Sequence, residues 1–223
     1  ANAGLVEELD ALALEHGVAV LGTGVNPGFI MDRLPALVSE VCHAVRRILV
    51  RRVVDAGARR LPLQKKIGVG LTVEEFREKA GGEIRHVGLA ESLLALADFL
   101  GWELDEITLE EIRPVIAERH LSSRFFDVPP GRVAGAYQEI HGLKGGERAI
   151  SLELEMALGV AESGDTVRIE MPPLEGYPTL VENRITGVHG DISTAAIVVN
   201  SARALLSAAP GLKTMLDLPP GRR

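Results

Sequence analysis

Val18-Ala19-Val20-Leu21, followed at once by Gly22-Thr23-Gly24-Val25-Asn26-Pro27-Gly28, is the stretch whose reading decides the fold. Four apolar residues in a row lack period-two alternation, which suits a strand covered on both faces of a parallel sheet. Upstream, Leu5, Leu9 and Leu12, with Val6 and Ala13, recur at helical spacing. Residues 4–15 therefore read as an amphipathic helix closed by His16-Gly17, the glycine taking the left-handed position past the last turn. A helix running into such a strand is the second half of a βαβ unit. The expectation is that the first strand of that unit lies before Ala1, and that 1–31 is the C-terminal remnant of a nucleotide-binding domain.

The loop after the strand invites comparison with a dinucleotide fingerprint, which needs a tight turn, close approach to a pyrophosphate and an immediate helix. Here the third glycine falls one residue late, Pro27 has no amide to offer, and the next helix starts only near Asp32. The acidic residue expected about 20 positions further on is also missing. The loop fits better at the rim of a nicotinamide or substrate site, because ligands of open α/β sheets bind beyond the carboxyl ends of the strands. Asn26 supplies donors and an acceptor, Pro27 stiffens the turn, and Phe29 offers a flat apolar wall. A plain crossover between domains is the competing reading.

Downstream, a helix is expected from Asp32 to Val45 and a strand over 48–55, then a loop rich in Arg, Gly and Lys over 56–71. Thr72-Val73-Glu74-Glu75 is a capping box opening a helix to about Ala80, and a second helix spans 89–100. Four period-two strands follow at 133–141, 149–158, 166–171 and 181–188, the first two joined by a Lys144-Gly145-Gly146-Glu147 turn. Asp191 caps a last helix running to about Ser207, ahead of a Pro- and Gly-rich tail. The fold class is α+β: a remnant of a Rossmann-type α/β domain (1–31), a mostly antiparallel sheet with helices on one face (32–190), and a closing C-terminal helix and tail (191–223). The second face of such a sheet needs a cover, and self-association through it into a homodimer supplies one.

With 46% hydrophobic and 25% charged residues among 223, the chain can build a core, but aromatics at 4% leave packing to Leu, Val, Ile and Ala. A net charge of -7 gives no footprint for nucleic acid. Cys42 is the single cysteine, so neither an intrachain disulfide nor a cysteine-rich zinc site can form. The six histidines fall at no metal-ligand spacing, and no metal is expected. No apolar run reaches the ~20 residues of a membrane span. No basic segment leads into a hydrophobic stretch, and a cytoplasmic protein with no membrane partner is expected.

Three further segments could carry chemistry. Arg59, Arg60, Lys65 and Lys66 gather four cations around Gln64 and could hold a substrate carboxylate or cofactor phosphate, or simply face water. His86, at a helix entry, reads as a hydrogen-bonding or proton-transfer group, or as a capping residue. His189-Gly190-Asp191 opens the last helix, with the amides of Ser193 and Thr194 at its positive end, while Asn200 sits in an apolar run and needs a partner.

Taken in order, Gly24-Val25-Asn26-Pro27-Gly28-Phe29-Ile30-Met31-Asp32, Pro62-Leu63-Gln64-Lys65-Lys66 with Thr72-Val73-Glu74-Glu75-Phe76, His86-Val87-Gly88-Leu89-Ala90-Glu91-Ser92, Gly101-Trp102-Glu103-Leu104 and His189 through Asn200 resemble the 2,4-diaminopentanoate dehydrogenase family. That family includes native amine dehydrogenases and is distantly similar to dihydrodipicolinate reductase. The resemblance implies a Rossmann domain binding NAD or NADP, then an α+β domain that shapes the substrate pocket and makes the dimer. It implies reversible oxidative deamination of an amine by hydride transfer. By position, Asn26 and Pro27 would lie beside the nicotinamide, and Phe29, Gln64, Lys65, Lys66, His86 and Thr194 would line the substrate side. The acidic residue that assists at the imine belongs to the segment before Ala1, so the catalytic residue is unknown and this chain alone is expected not to turn over. A non-catalytic binding or assembly module is the alternative. A dihydrodipicolinate reductase proper is the weaker one, since its His-His and Lys-x-Asp-Ala-Pro-Ser-Gly-Thr motifs are absent.

Overall fold

The computed structural model describes residues 3–219. In chain order they form α1 (Ala3–Glu15), β1 (Ala19–Leu21), α2 (Arg33–Ser39), β2 (Arg47–Asp55), α3 (Leu61–Lys66), α4 (Val73–Lys79), α5 (Leu89–Phe99), β3 (Glu106–Leu109) and β4 (Arg113–Ile116). There follow β5 (Leu121–Ser122), β6 (Asp127–Val128), β7 (Val133–Lys144), β8 (Glu147–Ala157), β9 (Gly164–Glu170), β10 (Leu180–Ile185), α6 (Gly190–Leu206) and β11 (Gly211–Lys213).

The main sheet has the order β10-β9-β2-β8-β7-β3, with β4 also paired to β7. All its pairings are antiparallel except β2 with β8. Period-two alternation sets the inward rows: Ile48 and Val50 on β2, Ile150, Leu152 and Leu154 on β8, Val167 and Ile169 on β9. Onto this face α5 lays Leu89, Leu93 and Leu96, and α2 packs beside it on β9. A second, smaller cluster gathers around Phe76 of α4 with Ile67, Ile84 and Val133. The architecture is mixed helix and sheet, α+β.

The β7–β8 hairpin closes with Lys144 opposite Glu147. Gly145 and Gly146 both lie at positive φ (62° and 76°), the pair of left-handed residues that a two-residue turn with the strands' own twist requires. The opposite face of the sheet is a lattice of cross-strand ion pairs, among them Arg113–Glu139 at 2.6 Å, Arg148–Glu110 at 3.1 Å and Arg168–Glu182 at 3.1 Å. Charge, not apolar surface, occupies the side for which a cover was expected.

Several expectations are corrected. β1 is three residues long and, among the described residues, pairs in parallel with β11 alone, Val20 opposite Leu212. Within this chain Val18 is 49% and Val20 36% exposed. The helix expected to reach Val45 stops at Ser39 because its next apolar position, Val41, finds no core and stays exposed, and the chain turns to enter β2. Within the expected loop 56–71 lies α3, with Pro62 in its first turn and Lys65 and Lys66 at its carbonyl end. His189, not Asp191, occupies the N-cap position of α6 and makes no side-chain capping bond, while the Asp191 carboxylate is drawn to Arg59 and Arg60. Asn200 is only half-buried, which removes its need for a protein partner. Among the described residues no helix is long and apolar enough to cross a membrane.

Candidate functional site

A cavity of about 560 Å³ opens where the glycine-rich loop, the end of β2, the start of α3 and the first turns of α6 converge. Its floor is apolar (Val54, Leu154, Met156) and its walls are polar.

The loop wall is fixed from behind by Asp32, which is 4% exposed. Its carboxylate accepts from the amides of Gly28 and Arg33, each at 2.6 Å, and lies 2.9 Å from the Ser92 hydroxyl of α5. Burial pushes this carboxyl above its usual range, against the pull of those hydrogen bonds. Ser92 also lies 3.3 Å from Asn26 Oδ1. That oxygen is a second, longer acceptor for the one Ser92 proton, and the Asn26 Nδ2 is buried with no partner. Thr194, from the second turn of α6, stitches that helix to the loop by accepting from the Val25 amide at 3.3 Å.

His86 faces the same cavity. Gln138 of β7 clamps its backbone from both sides, accepting from the amide at 2.9 Å and donating to the carbonyl at 3.1 Å. Burial, then the charges of Lys66 and Arg52, lowers the imidazole to about 4. At neutral pH it is uncharged, and because Nδ1 accepts from the Gly88 amide at 3.2 Å, its proton sits on Nε2. His86 is therefore a neutral hydrogen-bond donor, not an acid. Gly88 must lack a side chain: a Cβ there would run into the Pro27 ring.

The far wall is cationic. Arg52 follows Ile48 and Val50 in the inward row of β2 and is 3% exposed. Its Nε lies 3.6 Å from Asp165 Oδ1, and its Nη1 has no partner. Burial raises the Asp165 carboxyl to about 6, although Arg52 opposes this. Arg59 reaches Asp191 at 3.1 Å through Nη2, while its Nε is buried and unpartnered.

Of the residues singled out in the sequence, Asn26, His86 and Thr194 share the cavity, and Arg59 and Arg60 line it. Pro27 is exposed and abuts Gly88. Phe29 departs from expectation: it packs half-buried against the main core, since the turn into α2 rotates it away from the opening. Gln64 is fully buried and structural. Its Nε2 donates to the carbonyls of Ala56 and Arg59 at 2.8 and 3.0 Å, and its Oε1 accepts from Ser123, so it shapes the loop that carries Arg59. Lys65 and Lys66 point to solvent from α3, and only the field of Lys66 reaches the site. Ser92, Gln138, Arg52 and Asp165 were not anticipated; an arginine in register with Ile48 and Val50 was the available signal for one of them.

Residues 29–222 match the family model for the 2,4-diaminopentanoate dehydrogenase C-terminal domain. A 2,4-diaminopentanoate dehydrogenase of Acetoanaerobium sticklandii is 36% identical over 221 residues, covering 96% of this chain and 61% of that protein. The chain thus spans about three-fifths of the length of the curated relative it matches. The structure of an amine dehydrogenase from Mycobacterium smegmatis superposes with a TM-score of 0.82 at 25% identity, covering 100% of this chain and 65% of that one. This chain belongs to the 2,4-diaminopentanoate dehydrogenase family, of which it forms the C-terminal portion.

Proposed function

We propose that this chain is the substrate-side half of an NAD(P)-dependent oxidoreductase that interconverts an amine with its carbonyl compound and ammonia. The observation that carries this is the cavity itself, where the free Nδ2 of Asn26, the neutral His86 and the Thr194 hydroxyl face one apolar floor. A nicotinamide carboxamide needs a fixed donor, and an amide nitrogen buried without a partner at the loop rim fits it. NAD(P), when bound, supplies the hydride chemistry at the nicotinamide ring.

What the chain contributes is orientation. Asp32 and Ser92 hold Asn26, His86 donates through Nε2 without bringing charge, and the apolar floor keeps water from the reacting carbon. The apolar outward face of α1 (Leu5, Leu9 and Leu12, all at least 39% exposed) and the single partner of β1 support a parallel sheet that continues into a nucleotide-binding unit. Whether NAD or NADP serves would be decided in that unit, along with the acid that assists at the imine. The charged sheet face is the proposed homodimer surface.

The test is consumption of NADPH or NADH by the full-length protein with a ketone and ammonium. Asn26→Ala is expected to lower kcat/KM about tenfold, the size of one lost hydrogen bond. Turnover unchanged in that variant, or no hydride transfer to any small ketone, would overturn the reading.

A further inference from the structure

The Gly101-Trp102-Glu103-Leu104 turn, singled out in the sequence, takes no part in the chemistry above. Its tryptophan borders a separate cavity of about 740 Å³, at the end of the sheet where β2 begins and the β7–β8 hairpin turns. Four cations line this cavity (Arg46, Arg47, Lys144 and Arg148) against two carboxylates, Glu147 and Glu170. Two positive charges are thus in excess, in a chain whose net charge is -7. Existing contacts do not consume them. Glu170 alone serves two guanidiniums, at 2.7 Å from Arg46 and 3.8 Å from Arg47, and the second distance exceeds hydrogen-bond length. The Arg47 Nε is buried with no acceptor. The Lys144 ammonium lies 5.7 Å from the centre of the Trp102 ring, a cation–π contact and not an ion pair. Trp102 packs against the main core and still lines the cavity, so part of its ring forms a flat apolar wall beside the cations.

We propose that this cavity binds an aromatic phosphate ester, its phosphate held by Arg47, Lys144 and Arg148 and its ring laid on Trp102. A phosphate monoester carries close to two negative charges at neutral pH, which matches the excess, whereas a carboxylate brings one. Guanidinium forks and an ammonium are the donors that such a group takes. A bare inorganic anion would leave the indole wall and most of the volume unused. The site stands apart from the amine cavity. Arg47 opens β2, and Arg52, five residues on, lines the other cavity about 17 Å along the strand at ~3.3 Å per residue, so the two ligands do not compete.

Titration calorimetry of the full-length protein with phenyl phosphate, phenol and inorganic phosphate tests the site. Phenyl phosphate is expected to bind at least about tenfold more tightly than either of the others. R47M and K144M should each weaken it about tenfold; Lys144 is exposed at the hairpin turn, so K144M keeps the fold. W102L should bring phenyl phosphate down to the level of inorganic phosphate, and W102F, which keeps a ring on the core, should restore the preference. K79M removes an exposed cation of α4 and should leave every affinity unchanged. Equal affinity for phenyl phosphate and inorganic phosphate in the wild type overturns the site. So does wild-type affinity in both R47M and K144M, or a loss in K79M as large as theirs.

Discussion

Replacing Asp32 by alanine removes the one acceptor shared by three donors: the amides of Gly28 and Arg33 at 2.6 Å and the hydroxyl of Ser92 at 2.9 Å. Ser92 has a second acceptor within reach in Asn26 Oδ1 at 3.3 Å, so its hydroxyl can turn and recover most of its loss. The two amides cannot turn. Each buried donor left unsatisfied costs about 1–3 kcal/mol, giving roughly 2–6 kcal/mol. Against this, burial already raises the Asp32 carboxyl, so deleting it returns part of the desolvation cost. A net destabilisation of about 2–4 kcal/mol is expected, with the usual helix-cap loss of about 1 kcal/mol contained in it. Asp32→Asn keeps one side-chain oxygen and should lose about half as much. Urea unfolding followed by circular dichroism reads both as a shift of midpoint at constant m. A loss below about 1 kcal/mol in Asp32→Ala, or equal losses in the two variants, refutes the view that counted hydrogen bonds hold this loop.

Gly88→Ala drives a methyl into the Pro27 ring and is expected to displace the Asn26–Pro27 loop, lowering stability by about 1–3 kcal/mol; thermal unfolding checks it, and an unchanged midpoint would contradict the close approach. Gln64→Leu keeps the volume but strips the donor from the Ala56 and Arg59 carbonyls, at a cost of about 2–4 kcal/mol, visible as faster amide exchange around α3. The pH dependence has two opposed parts. His86, folded at about 4 against 6.5, takes its proton first in the unfolded chain, so stability is lost as pH falls from 6.5 toward 4. Asp165, folded at about 6 against 3.8, takes its proton first in the folded chain, so stability is gained as pH falls from 6 toward 3.8. D165N should unmask a fall of about 3 kcal/mol and H86Q the opposite slope; identical pH–stability curves for wild type and both variants would contradict the assignment.

Long periodic elements were legible because burial repeats in step with geometry: α1, α5, the β7–β8 hairpin and the Thr72 capping box all follow from local pattern. Short elements were not. β3, β4 and β11 are three or four residues long and are held by strands far away in the chain, while β5 and β6, two residues each, pair only with one another, so none is long enough to show a period. In the site, Asn26, His86 and Thr194 stood out as polar groups at element ends. Arg52 did not, because a cation inside a strand reads as a solvent-facing position until its register with Ile48 and Val50 shows that it points inward. Gln64 illustrates the converse: a polar residue in a basic loop looked like a ligand contact, yet the loop's own carbonyls consume it.

The placement of β2 has a consequence for biosynthesis. Ile48 pairs with Ile150 on one side and Ile169 on the other, so both neighbours of this strand leave the ribosome long after it does. Until then the nascent polypeptide must carry an apolar strand with two bare edges, a template for wrong pairing. Such dependence on distant partners slows refolding, and an early stop anywhere before the β9 strand would release an aggregation-prone product with no cavity at all.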